Sequence, residues 1–526
     1  MKLKIKTSSL WETLWALGCS AILLIQSAAG ATSVSHQGFV WNFSADRATG
    51  TFANGEPWVV GPVTITAISP QWDGTNNGSM KNPVPGTRNG FTTAPDASSL
   101  IAAYKYDATK NVAIQLPLTL VAGDVLASAQ TVSSFPNYTK KVCVLSVLGS
   151  QPAVGSFRPG PYGTDRTVRF NKSQINWNIL RSLAPVAGAP TASQINDFTP
   201  PLPWWEWGTN WTGSSLCGQL NVAAYPDGKG VPSTYGREIA RKWGDVALWL
   251  NLNHSLDDKE RAMIYTIQCG IDIHSYVTNG GGFYPEGGHK CGRKFPVVMA
   301  AAALNDATLK AFASNSDIFQ EDTQTWIVGQ NDLGRSVVSP KLTYSQQHLG
   351  AAEWGVCHRF EPTLDDSRWA DGSRYRSTVW PAMSGVVVAV ELMGLQNIWN
   401  HPAIFQYNER FRSLNGLDTF ATNMRAAHGG STEVTPPVPN LAIGNRILTT
   451  RDADVRDSGS LTATLLGVQA AGSSGTIVAG PVVAGGITWW QVDYDANVDG
   501  WSGADHFTSG AKQALPATPT GIRVKK

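Results

Sequence analysis

The sequence predicts a multidomain α+β chain: an N-terminal β-sandwich, a central α/α toroid-like helical domain and a small C-terminal β-barrel. Three observations carry this. Residues 32–160 hold short β-like runs broken by turn signals. From about residue 165 to 430 the apolar residues recur at helical spacing. A Pro-rich linker, STEVTPPVPN at 431–440, then precedes a second β-like stretch over 441–510, and residues 511–526 are expected to form a flexible tail.

In the first region FVWNFS (39–44), TGTFANG (49–55), WVVGPVTITAIS (58–69), NVAIQLPLTL (111–120) and KKVCVLSVLG (140–149) read as strands of an antiparallel sandwich. The Gly-, Asn- and Pro-rich QWDGTNNGSMKNPVPGTRNG between them reads as loop. In the second region, Ile239, Trp243, Val246, Ala247 and Leu250 mark one face of a helix over 235–254. Acidic residues open a second helix at 257–277, and Pro296 stands near the first turn of a third at 296–314. Further helices are expected at 377–394 and 418–428. The long Gly- and aromatic-rich loops between these helices suit a toroid with functional loops at one end, because a simple bundle needs shorter connections.

In the third region Asp454-Val455-Arg456, Gly475-Thr476-Ile477-Val478, Trp489-Trp490-Gln491-Val492 and Asp499-Gly500-Trp501 follow one another in an order that resembles the bacterial SH3-like family. The resemblance covers most of 441–508. It implies a binding or tethering module for cell-wall or other surface polymers, and no catalytic residue.

Composition narrows the function. A net charge of +2 with 15% charged residues argues against nucleic acid as the main partner. The chain has 20 Trp, a side chain that serves either as core or as a platform for sugar rings. Lys2, Lys4 and Lys6, the apolar run LWALGCSAILLI (14–25) and Ala29-Gly30-Ala31 have the order of a secretory signal peptide over 1–31. No later segment has the roughly 18 apolar residues of a membrane span, so a secreted, extracellular or periplasmic protein is expected. Cys143, Cys217, Cys269, Cys291 and Cys357 remain after cleavage, an odd and sparse set that allows one or two bridges.

The segments PSTYGREIA (232–240), TIQCGIDIHSYV (266–277), GGHKCGRK (287–294), AAEWGVCHRFEP (351–362) and RYRSTVWPAM (374–383) resemble α/α-toroid polysaccharide lyases over roughly 160–425. The resemblance implies cleavage of an acidic, uronic-acid polysaccharide by β-elimination. That reaction needs a proton acceptor, a proton donor and a cation facing the substrate carboxylate. The residues expected in those roles are His289 or His358 as proton carrier, Arg293 as carboxylate partner, Tyr375 as acid and Glu353 as orienting carboxylate. Substrate contacts are expected from Tyr284, Tyr344, His348, Trp354, Arg359 and Arg376, and from Trp204, Trp205 and Trp207 in the aromatic segment WWEWGTNW.

Each of these has a plainer reading. Tyr284 can be a packing aromatic, Arg293 and Lys294 helix caps, Glu353 an ion-pair partner, and His274, beside Ile267 and Ile271, a core histidine. Two further functional readings stay open. A glycoside hydrolase would use a pair among Glu286, Glu353, Asp365 and Asp366, and a non-catalytic glycan- or surface-binding protein would use the tryptophans alone. No cofactor is expected, although His289, Cys291, Cys357 and His358 are zinc-type ligands and calcium is also compatible.

Overall fold

The computed structural model describes residues 30–85, 89–93, 106–131, 139–196, 236–283, 288, 290–334, 336–337, 342–355, 374–429, 441–449, 452–460, 462–484 and 487–509. The chain is a mixed α+β protein: a curled N-terminal β-sheet, helices in the middle and an antiparallel sheet at the C-terminus. Nearly all of the expected signal peptide, the linker and the tail lie outside the described residues. The first strand starts at Gly30, so a cut after Ala31 would fall within it.

The N-terminal strands are β1 (Gly30–His36), β2 (Phe39–Thr51), β3 (Pro57–Val60), β4 (Val63–Ser69), β5 (Ser79–Lys81), β6 (Leu118–Leu120), β7 (Val125–Thr131) and β8 (Thr139–Leu148). They form one sheet in the order β5-β7-β8-β3-β2-β4-β6, with β1 also on β2. Two facing sheets were expected; one sheet curled into a half-barrel is found. The reason is the length of β2, which merges two runs that read as separate strands. Val40 to Phe43 pair with β4, β1 pairs as far along as Ala48, and the last residues, Thr49 to Thr51, pair with β3. A single 13-residue strand thus carries the hydrogen bonding around the corner.

One side of the sheet holds Phe39, Trp41, Phe43, Ile65, Leu126, Leu145 and Val147 as one apolar cluster. Because side chains alternate along a strand, Val125, Ala127, Ala129 and Val144 face the other way and join the core of the helical region. Strand β7 is therefore buried on both faces. The sheet thus keeps its own apolar cluster on one face and shares the core of the helical region on the other.

The helical region comprises α1 (Ala192–Asn196), α2 (Gly236–Leu250), α3 (Leu256–Thr278), α4 (Lys294–Ala303), α5 (Ala307–Ala313), α6 (Gln320–Thr323), α7 (Arg374–Met393), α8 (Gln396–Trp399), α9 (Pro402–Asn415) and α10 (Thr419–His428). Short strands β9 (Thr325–Ile327), β10 (Ser336–Val337), β11 (Leu342–Thr343) and β12 (Ala352–Trp354) form two small two-stranded sheets among them, β9 with β12 and β10 with β11. The apolar stripe of α2 is buried as its periodicity predicts, and α2 packs along α7. Two glycines make that approach possible: a Cβ on Gly244 would sit 3.1 Å from Gly385 Cα. The helix expected over 296–314 is two helices. Asn305 takes a left-handed φ of 51°, and Asp306 then caps α5 by accepting from Leu309 N at 2.8 Å.

The helices are tied to the half-barrel by a buried ionic junction. Arg158, 1% exposed, pairs with Glu56 beside β3 and with Asp272 of α3, the latter at 2.6 Å. Glu56 also accepts from Val144 N of β8 at 3.0 Å, and Gln268 bonds both the N–H and the carbonyl of Arg158 at 3.0 Å.

The C-terminal strands are β13 (Arg446–Thr449), β14 (Ala453–Arg456), β15 (Leu465–Gln469), β16 (Ser474–Ala484), β17 (Ile487–Tyr494), β18 (Gly500–Gly503) and β19 (Phe507–Ser509). They pair antiparallel in the order β15-β14-β18-β17-β16-β13-β19 over their own core of Ile447, Val455, Ile477, Trp490 and Val492. A core built from residues of four strands suits a small self-contained sheet domain.

Candidate functional site

The loop YPEGGHKCGRK is anchored from beneath. Gly288 O accepts from Arg237 N at 2.9 Å, at the start of α2. Gly292 has φ +81°, and a Cβ there would lie 2.5 Å from Ala240 Cα, so only glycine lets the loop settle against α2. Cys291 is fully buried, with Gln320 Nε2 donating to its sulfur at 2.9 Å. Burial pushes its thiol well above the ordinary range, as for a packed thiol.

The basic residues of the loop's end also point inward. Arg293 is 1% exposed and its Nη1 donates to Cys291 O at 2.7 Å. Lys294 is completely buried against Asp322, donates to Trp399 O at 2.6 Å, and lies 5.2 Å from the centre of the Trp399 ring. Glu321 caps α4, accepting from the backbone N–H groups of Arg293 at 3.0 Å and Lys294 at 2.8 Å. Burial raises its carboxyl to about 7. Helix α6 thus supplies Gln320, Glu321 and Asp322 as one buried polar clamp under the loop.

The segment continues directly from α6 into β9, and β9 pairs with β12, placing Glu353 opposite Trp326. Here a second cluster forms. Glu353, 1% exposed, accepts from the Tyr344 hydroxyl at 3.1 Å and from Arg376 Nη2 at 2.9 Å, both on Oε2. Its other oxygen pairs with Arg410 of α9, whose Nη1 also donates to Ala352 O at 2.8 Å. Arg376 and Tyr344 are buried, while the Arg410 side chain keeps 24% of its surface exposed. Burial lowers the Arg410 guanidinium from its usual value.

His348 packs edge-on to Tyr344 with ring centres 5.9 Å apart. Its Nδ1 accepts from Ser345 N at 3.0 Å. Trp354 is 1% exposed and packs on Trp380 and Tyr407, so it supports the cluster from inside.

The expected residues therefore divide. Tyr344, Glu353 and Arg376 converge, with His348 and Trp354 against them. Arg293 sits in the other cluster, at the far end of the α6–β9 segment. Tyr375 is the second residue of α7, next to Arg376 in the chain. Tyr284, His289, His358, Arg359, Trp204, Trp205 and Trp207 lie outside the described residues. Arg410 was missed because 402–415 was not read as helix; Pro402 in its first turn was the available signal. Cys143 and Cys291 are buried thiols, and among the described residues no group of His, Cys, Asp and Glu is arranged to hold a metal. No described helix is long and apolar enough to cross a membrane.

No protein-family model, curated protein or solved structure matches the chain.

Proposed function

We propose that the protein is a secreted carbohydrate-active enzyme that cleaves an acidic polysaccharide by β-elimination, on a helical scaffold of the α/α-toroid kind. The observation that supports this most is the pair of guanidiniums, Arg376 and Arg410, held at one buried carboxylate with a tyrosine hydroxyl beside them. A planar cation held in place by a buried carboxylate is suited to gripping a uronate carboxylate, whose charge must be neutralised for its neighbouring C–H to lose a proton.

In this reading Arg410, the more exposed of the two, faces the substrate carboxylate, the role the sequence suggested for Arg293. Glu353 orients both arginines and Tyr344. The base removes the proton beside the carboxylate, the carbon–oxygen bond to the next sugar breaks, and a carbon–carbon double bond forms. The departing oxygen takes a proton. His358 and Tyr375 are the proposed proton carrier and acid, since His358 follows Trp354 by four residues and Tyr375 directly precedes Arg376. The tryptophans of WWEWGTNW are proposed as stacking surfaces, and the C-terminal sheet as an SH3-like module that tethers the enzyme to a surface polymer.

Incubation with a panel of uronic-acid polymers, followed by ultraviolet absorbance for unsaturated ends, tests this. New reducing ends without absorbance would point to a hydrolase. Polymer binding without any product would point to a glycan-binding protein.

A further inference from the structure

A cavity of about 270 Å³ lies between the segment 157–170, the C-terminal half of α3 and the start of α5. It shares no residue with the Glu353 cluster. Its walls are fixed before any ligand arrives: Ser275 Oγ bonds both the N–H and the carbonyl of Tyr162 at 3.1 Å, and a Cβ on Gly160 would lie 2.1 Å from Ser275 Cβ. Its volume falls just under the roughly 300–1,000 Å³ of small-molecule sites, enough for one ring and too little for a polymer groove.

His274 was expected as a satisfied core histidine. It is half-buried, lines this cavity, and stands edge-on to Phe312 at 4.9 Å; neither ring nitrogen bonds to a described residue. Burial lowers its pKa, with Asp306 opposing and Arg169 assisting, so the ring is neutral at pH 7 and offers one donor and one acceptor. Asp306 uses Oδ1 to cap α5, and its second carboxylate oxygen is left for a ligand hydroxyl. Arg169, engaged with Asp165 at 2.7 Å, adds donors at the rim. Phe170 and Leu309 supply apolar surface.

We infer that this cavity is a binding site for a single neutral sugar ring, separate from the proposed cleavage site. A sugar has hydroxyls that need both donors and acceptors, and C–H faces that need an apolar wall. An anion would meet Asp165 and Asp306, and an amine would meet Arg169. Neither charge is favoured, whereas a neutral polyol satisfies every group.

Saturation-transfer NMR on the whole protein with glucose, galactose, mannose and N-acetylglucosamine, and with glucuronate as the acidic comparison, tests this. At least one neutral sugar should show transfer. Thr308→Trp, an exposed α5 position at the mouth, should abolish it, and His274→Ala should weaken binding by about tenfold, the worth of one good buried hydrogen bond. Asp306→Asn, which keeps the cap, should weaken it similarly. Absence of transfer from every neutral sugar, transfer undiminished in Thr308→Trp and His274→Ala, or tighter binding of glucuronate would each overturn the inference. Cleavage of acidic polymers should be unchanged in all three variants, so failure here is distinct from failure of the proposed reaction.

Discussion

Tyr344 and Arg376 meet on one oxygen of Glu353: the hydroxyl donates at 3.1 Å and the guanidinium at 2.9 Å, with the carboxylate 1% exposed. Glu353→Ala would leave Arg376 buried without its counter-charge. It should cost about 3–5 kcal/mol, and Glu353→Gln less, because the amide oxygen still accepts. Urea midpoints measure both. Equal stability of Glu353→Ala and the wild type would show that the network contributes nothing to the fold.

Arg410 should be needed for turnover more than for folding. Its guanidinium is partly exposed and Glu353 keeps two other partners. Arg410→Ala should lower kcat by about 10²–10³, typical for losing one donor to developing negative charge, with a smaller stability loss than Glu353→Ala. Steady-state kinetics beside a melting curve separates the two effects. Unchanged kcat would remove Arg410 from the reaction.

Gly292 and Gly280 both have positive φ, of +81° and +96°, yet they should respond differently to alanine. At Gly280 nothing lies within 4 Å of the new Cβ, so the cost is the backbone term of about 1–2 kcal/mol. At Gly292 the Cβ meets the backbone of α2, and overpacking adds about 1–3 kcal/mol more. Thermal melts of the two variants give the comparison.

Glu321 should make stability depend on pH. Its folded carboxyl is raised from 4.5 to about 7 by burial, so between those values the folded state binds more protons than the unfolded one. Stability from this group is therefore present below pH 4.5 and is lost as pH rises to about 7. Glu321→Gln removes the titration while keeping an oxygen for Arg293 N and Lys294 N. The variant should gain on the wild type as pH rises through this window, by on the order of 3 kcal/mol, and the gap should be flat above it. A gap independent of pH would contradict this.

Much of the framework was legible in the sequence, because burial imposes a period. Ile239, Trp243, Val246 and Leu250 marked α2, and the changes near residues 165 and 431 separated strands from helices. The curl of the N-terminal sheet was not legible. A corner inside β2 depends on which strands bond its two halves, and no local pattern encodes that. The GHKCGRK segment misled for a related reason: Arg293 and Lys294 look like exposed cations until Glu321 and Asp322, about 28 residues on, are seen to bury them. Glu353, Tyr344 and Arg376 were picked for their chemistry, whereas Arg410 needed the tertiary fold to bring α9 to β12.

The most direct test of the central claim compares one uronic-acid polymer before and after chemical reduction of its carboxyl groups, with the wild-type protein and ultraviolet absorbance as the readout. β-Elimination guided by Arg410 requires the carboxylate, so unsaturated ends should accumulate from the native polymer and not from the reduced one. Cleavage of both polymers at similar rates, with no unsaturated ends from either, would contradict the account.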